Sequence, residues 1–198
     1  MRPRNLDKEQ AIKSIALDII TNEGLENLTM QKLANAVGIS PRTIYIKYAD
    51  KEDLLVKLFV DEVLGDYEQA VLKDFSATMD FADGIRKLWQ NTFHYLKDHQ
   101  PGFALLQYSK TTPLLHKAYQ ERNIRQGDHF QAIHTFFQRH AAAGLIPVLP
   151  MDVYRALLQA PLQELVREYF DHSTRKQQII TDQVVADCCE MVIKGLLK

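Results

Sequence analysis

Between Leu28 and Leu55 the chain reads LTMQKLANAVGISPRTIYIKYADKEDLL, and three capping side chains and one glycine divide that stretch into short helices. Thr29 caps a helix over Met30–Val37, in which Met30, Leu33, Ala34 and Val37 share one face. Gly38 supplies the left-handed residue that ends it. Ser40 caps the next helix, Pro41 to about Lys47, and proline takes its favoured first position there. After Tyr48-Ala49, Asp50 caps a third helix that opens Lys51-Glu52-Asp53 and carries Leu54, Leu55, Leu58, Phe59 and Val63 inward. Helices this short do not stand alone in water. The preceding periodic segment, about Asp7 to Glu23, must therefore complete the unit with Ala11, Ile12, Ile15, Ala16, Ile19 and Ile20. Leu33, Ala34, Val37, Ile39 and Ile44 form the small core shared across the glycine turn, which is the physics of a helix-turn-helix.

The rest of the chain also reads as helix, with no run of short alternating strands. Helices are expected over Asp80–His99, stopped near Pro101-Gly102, then around Phe103–Ser109 and Pro113–Tyr119. One longer helix follows from about Glu121 to Ala143, and two more run Asp152–Phe170 and Lys176–Leu197. The predicted fold is all-α, with a small head over residues 1–50 and a larger helical body over 51–198. Among 198 residues no apolar run approaches the roughly 20 that a membrane span needs. The N-terminus MRPRNLDKEQ has no apolar segment behind it, and the two cysteines, Cys188 and Cys189, are adjacent and without metal-ligand spacing. A reduced, cytoplasmic protein without metal is expected. Net charge is −1, but residues 1–51 hold eight Lys/Arg against six Asp/Glu, a mild local excess of +2.

The helix opening Ser40-Pro41-Arg42-Thr43 presents hydroxyls and a guanidinium at its N-terminal end, the end that such motifs place in a major groove. At this point the sequence resembles the TetR family of bacterial regulators. The resemblance rests on Thr29, on Ala34-Asn35-Ala36-Val37-Gly38-Ile39-Ser40, on Thr43-Ile44-Tyr45-Ile46-Lys47-Tyr48 and on Lys51-Glu52-Asp53-Leu54, across about residues 7–57. Ile39 stands where the family commonly has Val, Arg42 where glycine is common, a change that bears on base preference, and Tyr48 where Phe is common, a change that keeps the aromatic core role. The resemblance implies phosphate contacts from Thr29, Tyr45, Lys47 and Lys51, and base-edge contacts from Pro41, Arg42 and Thr43. With Ser40 and Tyr48 these make the candidate DNA-binding set. Residue chemistry agrees: an arginine can donate two bonds to a guanine edge, worth roughly 1–3 kcal/mol of discrimination, and lysines bring charge to phosphates. Taken singly, each is also an ordinary solvated residue, and for Tyr45 contact is the favoured reading with core as the alternative. The Arg2-Pro3-Arg4 tail can reach a minor groove or remain a disordered tail.

One head offers few phosphate contacts, so a homodimer on a near-palindromic operator is expected, its half-sites about one helical turn (~34–36 Å) or more apart. Apolar stripes on the last two helices suit pairing, with Leu158, Pro161 and Leu165 on one and Val185, Cys188, Cys189, Val192 and Leu196 on the other. Pro161 removes one backbone bond from its helix. The same stripes also describe ordinary core. The body is rich in aromatics, and by resemblance holds a small-molecule effector pocket, with Trp89, Phe93, His94, Phe103, Gln107, Tyr108, Phe130, His134 and Phe137 as candidates. An aromatic stripe at helical spacing is again also plain core. No cofactor is expected. What the resemblance implies in function is a repressor released from double-stranded DNA by its effector. The rivals are a dimeric helical interaction module and, more remotely, a His-dependent enzyme. Against the enzyme, His94/His99 and His129/His134 are five apart and His134/His140 six, which does not align rings as the four-residue spacing of metal helices does.

Overall fold

The computed structural model describes residues 3–64, 67–110, 112–123, 130–172 and 177–198. Its regular structure is helical, with no strand among those residues. Eleven α-helices are described: α1 Pro3–Glu23, α2 Met30–Val37, α3 Pro41–Tyr45, α4 Lys51–Glu62, α5 Tyr67–Val71, α6 Phe81–Asp98, α7 Gln100–Ser109, α8 Leu114–Glu121, α9 Gln131–Ala142, α10 Met151–His172 and α11 Asp182–Leu196. A single 3-10 turn, Leu25–Asn27, links α1 to α2.

The caps behave as their chemistry dictates. Thr29 Oγ1 accepts from the amide of Lys32 at 3.1 Å, and Ser40 Oγ from that of Thr43 at 3.3 Å. Asp50 Oδ1 accepts from the amide of Asp53 at 2.8 Å, while Asp53 Oδ2 reaches back to accept from that of Ala49, one residue before the cap, at 2.9 Å. Gly38 sits at φ 71°, ψ 32°, and the amide of Ile39 closes back on Ala34 O at 3.0 Å.

Several expected boundaries shift. The first helix begins at Pro3, so residues 3 and 4 of the tail are helical rather than disordered; Arg2 lies outside the described residues. α6 ends at Asp98, close to the stop expected near Pro101-Gly102. Pro101 itself stands in the first turn of α7, which starts at Gln100 rather than near Phe103 and where its missing N–H costs nothing. The piece expected around Pro113–Tyr119 is α8, which runs to Glu121. Of the helix expected over 121–143 the described part is α9, which starts at Gln131 after Phe130 at φ 59°, while Asn123 has a positive φ. Residues 124–129, His129 among them, lie outside the described residues. The last helix begins at Asp182, not 176, because Thr181 accepts the amide of Val184 and sets the start. Neither α5 nor the 3-10 turn was expected.

Packing groups the chain into two units. One comprises Met1–Gly65 with His99–Arg125, the other Asp66–Asp98 with Gln126–Lys198. This line differs from the motif-based division at residue 50, since α4 packs on α7 and α8 and belongs by contact with the head. In the first unit Ile12, Ala16, Leu28, Leu33, Ala34, Ile44, Leu54, Leu58 and Phe59 are fully buried around α1–α4. In the second, α6 packs against α5, α10 and α11. Its core is aromatic: Phe81 stacks on Phe136 with centroids 5.8 Å apart, and Phe137 on Tyr154 at 4.6 Å. Gly84 lets the buried Phe136 ring lie against α6, and a Cβ there would fall 2.5 Å from two of its ring atoms.

Candidate nucleic-acid interface

α2 and α3 are joined by the left-handed Gly38, and one buried side chain, Ile44, anchors α3 to the core. Anchoring by Ile44 fixes which side chains face away. Arg42 and Tyr45 are exposed, and Ile46, the second residue after Ile44, is 77% exposed. Ser40 and Thr43 bind each other through their hydroxyls at 2.9 Å, which holds the N-terminal end of α3 in one arrangement. Pro41 and Thr43 are half-buried, Thr29 and Ser40 exposed. Arg42 has no ion-pair partner among the described residues, so its five donors stand open to an acceptor.

The two lysines expected at phosphates are engaged within the chain. Lys47 Nζ donates to Glu9 Oε2 at 2.7 Å, and this bond holds the Glu9 carboxyl below its usual range. Glu9 also lies 3.4 Å from Lys13, which pairs with Asp61 on α4 at 2.5 Å. Lys51 Nζ donates to the carbonyl of Leu25 at 2.8 Å, and burial pushes its pKa down. Both are half-buried at the margin of α3 and α4, so their charge is present, but a phosphate oxygen must exchange with an internal acceptor to use it.

Tyr48 is corrected by the structure. It is only 2% exposed, and the Lys57 ammonium sits 5.3 Å from its ring centroid, so it serves the core and offers nothing to a groove. Ile46 is the residue that sequence reasoning passed over. It stands two positions from Ile44, about 200° around a helix, and that phase alone turns it outward. An exposed branched aliphatic beside a base-reading arginine suits contact with a thymine methyl group.

The candidate effector residues are divided between the two units. Trp89, Phe93 and His94 line a cleft of about 250 Å³ in the second unit. Phe103, Gln107 and Tyr108 belong to the first unit; Phe130, His134 and Phe137 lie in the second but not on that cleft. Among the pairing candidates, Leu158, Val185, Cys189 and Leu196 are buried in their own chain's core, because α10 and α11 turn these faces inward. Pro161 is exposed, and Leu165, Cys188 and Val192 are half-buried. The large apolar groups these helices leave in the open are others: Val153 and Leu157 on α10 and Met191 on α11. Among the described residues no three His, Cys, Asp or Glu side chains gather as a metal site, and no helix is long and apolar enough to cross a membrane.

Comparison with known proteins falls on this same interface. Residues 13–58 match the family model described as bacterial regulatory proteins, tetR family. An uncharacterised HTH-type transcriptional regulator of Haemophilus influenzae is 28% identical over 113 residues, which span 57% of this chain and 60% of that relative. An HTH-type transcriptional regulator of Staphylococcus aureus is 37% identical over 54 residues, 27% of this chain and 29% of its own length. The chain thus matches less than two thirds of the length of these curated relatives. Two solved structures share the fold across 100% of both chains: a TetR family transcription regulator of Marinobacter aquaeolei (TM-score 0.73, 24% identity) and one of Haemophilus influenzae (TM-score 0.67, 23% identity). The capped α2, the glycine turn and the α3 that presents Arg42 all lie inside residues 13–58, the segment that is similar to the tetR family of bacterial regulatory proteins.

Proposed function

We propose that this protein is a sequence-specific DNA-binding transcriptional regulator, acting in the cytoplasm as a homodimer and as a repressor that leaves its operator when a small effector binds. The observation that carries the DNA reading is the unpaired, exposed Arg42 at the N-terminal end of an anchored recognition helix, inside the segment that matches the family. Arg42 reads a base edge, Tyr45 and Ile46 extend the contact, and Lys47 and Lys51 supply charge to phosphates at the margin. The dimer reading is supported by Val153 and Leu157, one helical turn apart on α10, and by Met191, 70% exposed on α11. Isolated exposed apolar groups are common, but three on the two C-terminal helices suit a partner.

The effector reading is supported by the apolar cleft at Trp89, Phe93 and His94. A ligand that favours one conformation of the dimer changes the separation of the two heads and so the affinity for DNA, by a coupling typically about 1–3 kcal/mol. The test is selection of bound fragments from the source genome, followed by footprinting. A protected, near-palindromic site upstream of a gene, with transcription rising when this protein is deleted, is the expected result. No enriched site would leave a helical dimer with another task, and lower transcription on deletion would make it an activator.

A further inference from the structure

α6 and α11 run antiparallel, with two ion-pair clasps from one helix to the other. At one end Arg86 donates through Nε and Nη2 to both carboxylate oxygens of Glu190, at 2.5 and 3.0 Å. At the other, Lys97 Nζ and His94 Nε2 each lie 3.5 Å from Asp182 Oδ1. Between the clasps is the cleft of about 250 Å³, walled by Trp89, Phe93, Val185, Ala186 and Cys189. The Cys189 thiol, pushed up to about 12 chiefly by burial, is an apolar wall rather than a nucleophile.

One donor in this wall has nothing to bind. The Trp89 side chain is 3% exposed, and its indole Nε1 is buried without an acceptor. A buried N–H left unpaired is a standing cost that a suitably placed acceptor removes. The size and lining of the cleft set the rest of the ligand's chemistry. The volume is below the roughly 300–1,000 Å³ of drug-sized pockets, which leaves room for one or two rings. Asp182, Glu190 and the neighbouring Asp83 outnumber Arg86 and Lys97, so an anion is disfavoured. Nε1 itself is buried although Trp89 lines the cleft, so an acceptor reaches it only when the cleft wall gives way. The clasps are solvent-exposed pairs and resist that movement weakly.

We propose that this cleft binds an uncharged one- or two-ring compound whose hydrogen-bond acceptor takes the indole N–H of Trp89, and that its entry parts the two clasps. This deepens the effector reading and rests on it only for the consequence at DNA, since binding at the cleft is measured without DNA.

Trp89 is the sole tryptophan, so its emission in the full-length protein reports this site alone. The probes are quinoline and naphthalene, which share a shape and differ in one ring nitrogen that accepts a hydrogen bond. Quinoline is expected to change the indole emission and to bind roughly five- to tenfold more tightly than naphthalene by calorimetry. Trp89→Phe keeps an aromatic wall without the N–H, and is expected to bind the two equally. Ala186→Leu, at an exposed position on the cleft, is expected to block both without disturbing the fold. Failure of both probes to bind, equal binding by the unaltered protein, or a quinoline preference that survives Trp89→Phe would overturn the proposal. None of these results bears on whether α3 reads DNA.

Discussion

Glu9 stands 2.7 Å from the lysine that a phosphate would claim, so binding of DNA exchanges one anion for another at Lys47. Half-exposed pairs of this kind contribute about 0.2–1 kcal/mol, which bounds what the exchange can cost. Glu9→Gln is therefore expected to tighten DNA binding on all sequences by up to about fivefold. Lys47→Ala is expected to weaken binding uniformly and to reduce the salt slope by about 0.9. Arg42→Ala should behave differently, with a loss of about 1–3 kcal/mol confined to the operator and relaxed preference at one base pair. Competition titrations with operator and scrambled duplexes separate the two patterns. If Arg42→Ala weakens both duplexes equally, Arg42 is a phosphate contact and not a reader.

A second residue-scale expectation concerns pH. His140 is buried beside Arg139, and burial first, then that charge, lowers its pKa from the ordinary 6.5. Its Nε2 lies 2.8 Å from Arg139 Nη2, a contact that suits a neutral ring accepting from the guanidinium. The unfolded chain then takes up the proton before the folded one does. Stability is full above about 6.5 and falls as pH drops through that value toward the lowered one. The midpoint of thermal unfolding should decline between about pH 7 and 5, and less steeply in His140→Gln. A midpoint that rises over this range would contradict the assignment.

At the scale of elements, the caps and the glycine turn are the parts that local chemistry decides. Ser40→Ala is expected to cost about 1 kcal/mol, because the Thr43 amide and hydroxyl both lose their partner. Gly84→Ala belongs to packing instead. Its Cβ would meet the buried Phe136 ring at 2.5 Å, and overpacking of this kind costs roughly 1–3 kcal/mol in chemical denaturation. These two cases show why part of the fold was legible beforehand. Thr29, Gly38, Ser40 and Asp50 act on their own neighbours in sequence, so α2, the start of α3 and the start of α4 could be placed from residues alone. The start of α9 depends on a left-handed Phe130 whose amide donates to Glu68, 62 positions away, and no local pattern announces that. The same limit governs the site. Arg42 was readable because the motif fixes its phase and Tyr48 as an aromatic of the core, whereas Tyr45, open between contact and core, needed the packing of Ile44 to show that it points outward. Leu158 and Val185 were read as partner-facing because a stripe apolar on several sides does not say which side its own chain takes.

For the molecule as a whole, the proposed function calls for two copies, and the apolar groups open to pairing are those that α10 and α11 leave exposed, Val153, Leu157 and Met191. Leu157→Glu with Met191→Glu places charge where apolar groups are exposed, so the folded chain should persist while sedimentation shows monomer. The monomer is expected to lose most operator affinity although every residue of α3 is intact. If the double variant remains dimeric, pairing uses another surface.

The most direct test of the whole reading is the affinity of the purified chain for its selected operator, followed by fluorescence anisotropy across a series of salt concentrations. Displacement of counterions by several lysines and arginines from two heads predicts log affinity falling linearly with log salt, at a slope of about −0.9 per phosphate contacted. The slope should become shallower in Lys47→Ala and stay unchanged in Arg42→Ala. Binding that is indifferent to salt, or equal on operator and scrambled duplex, would contradict the claim that α3 reads DNA.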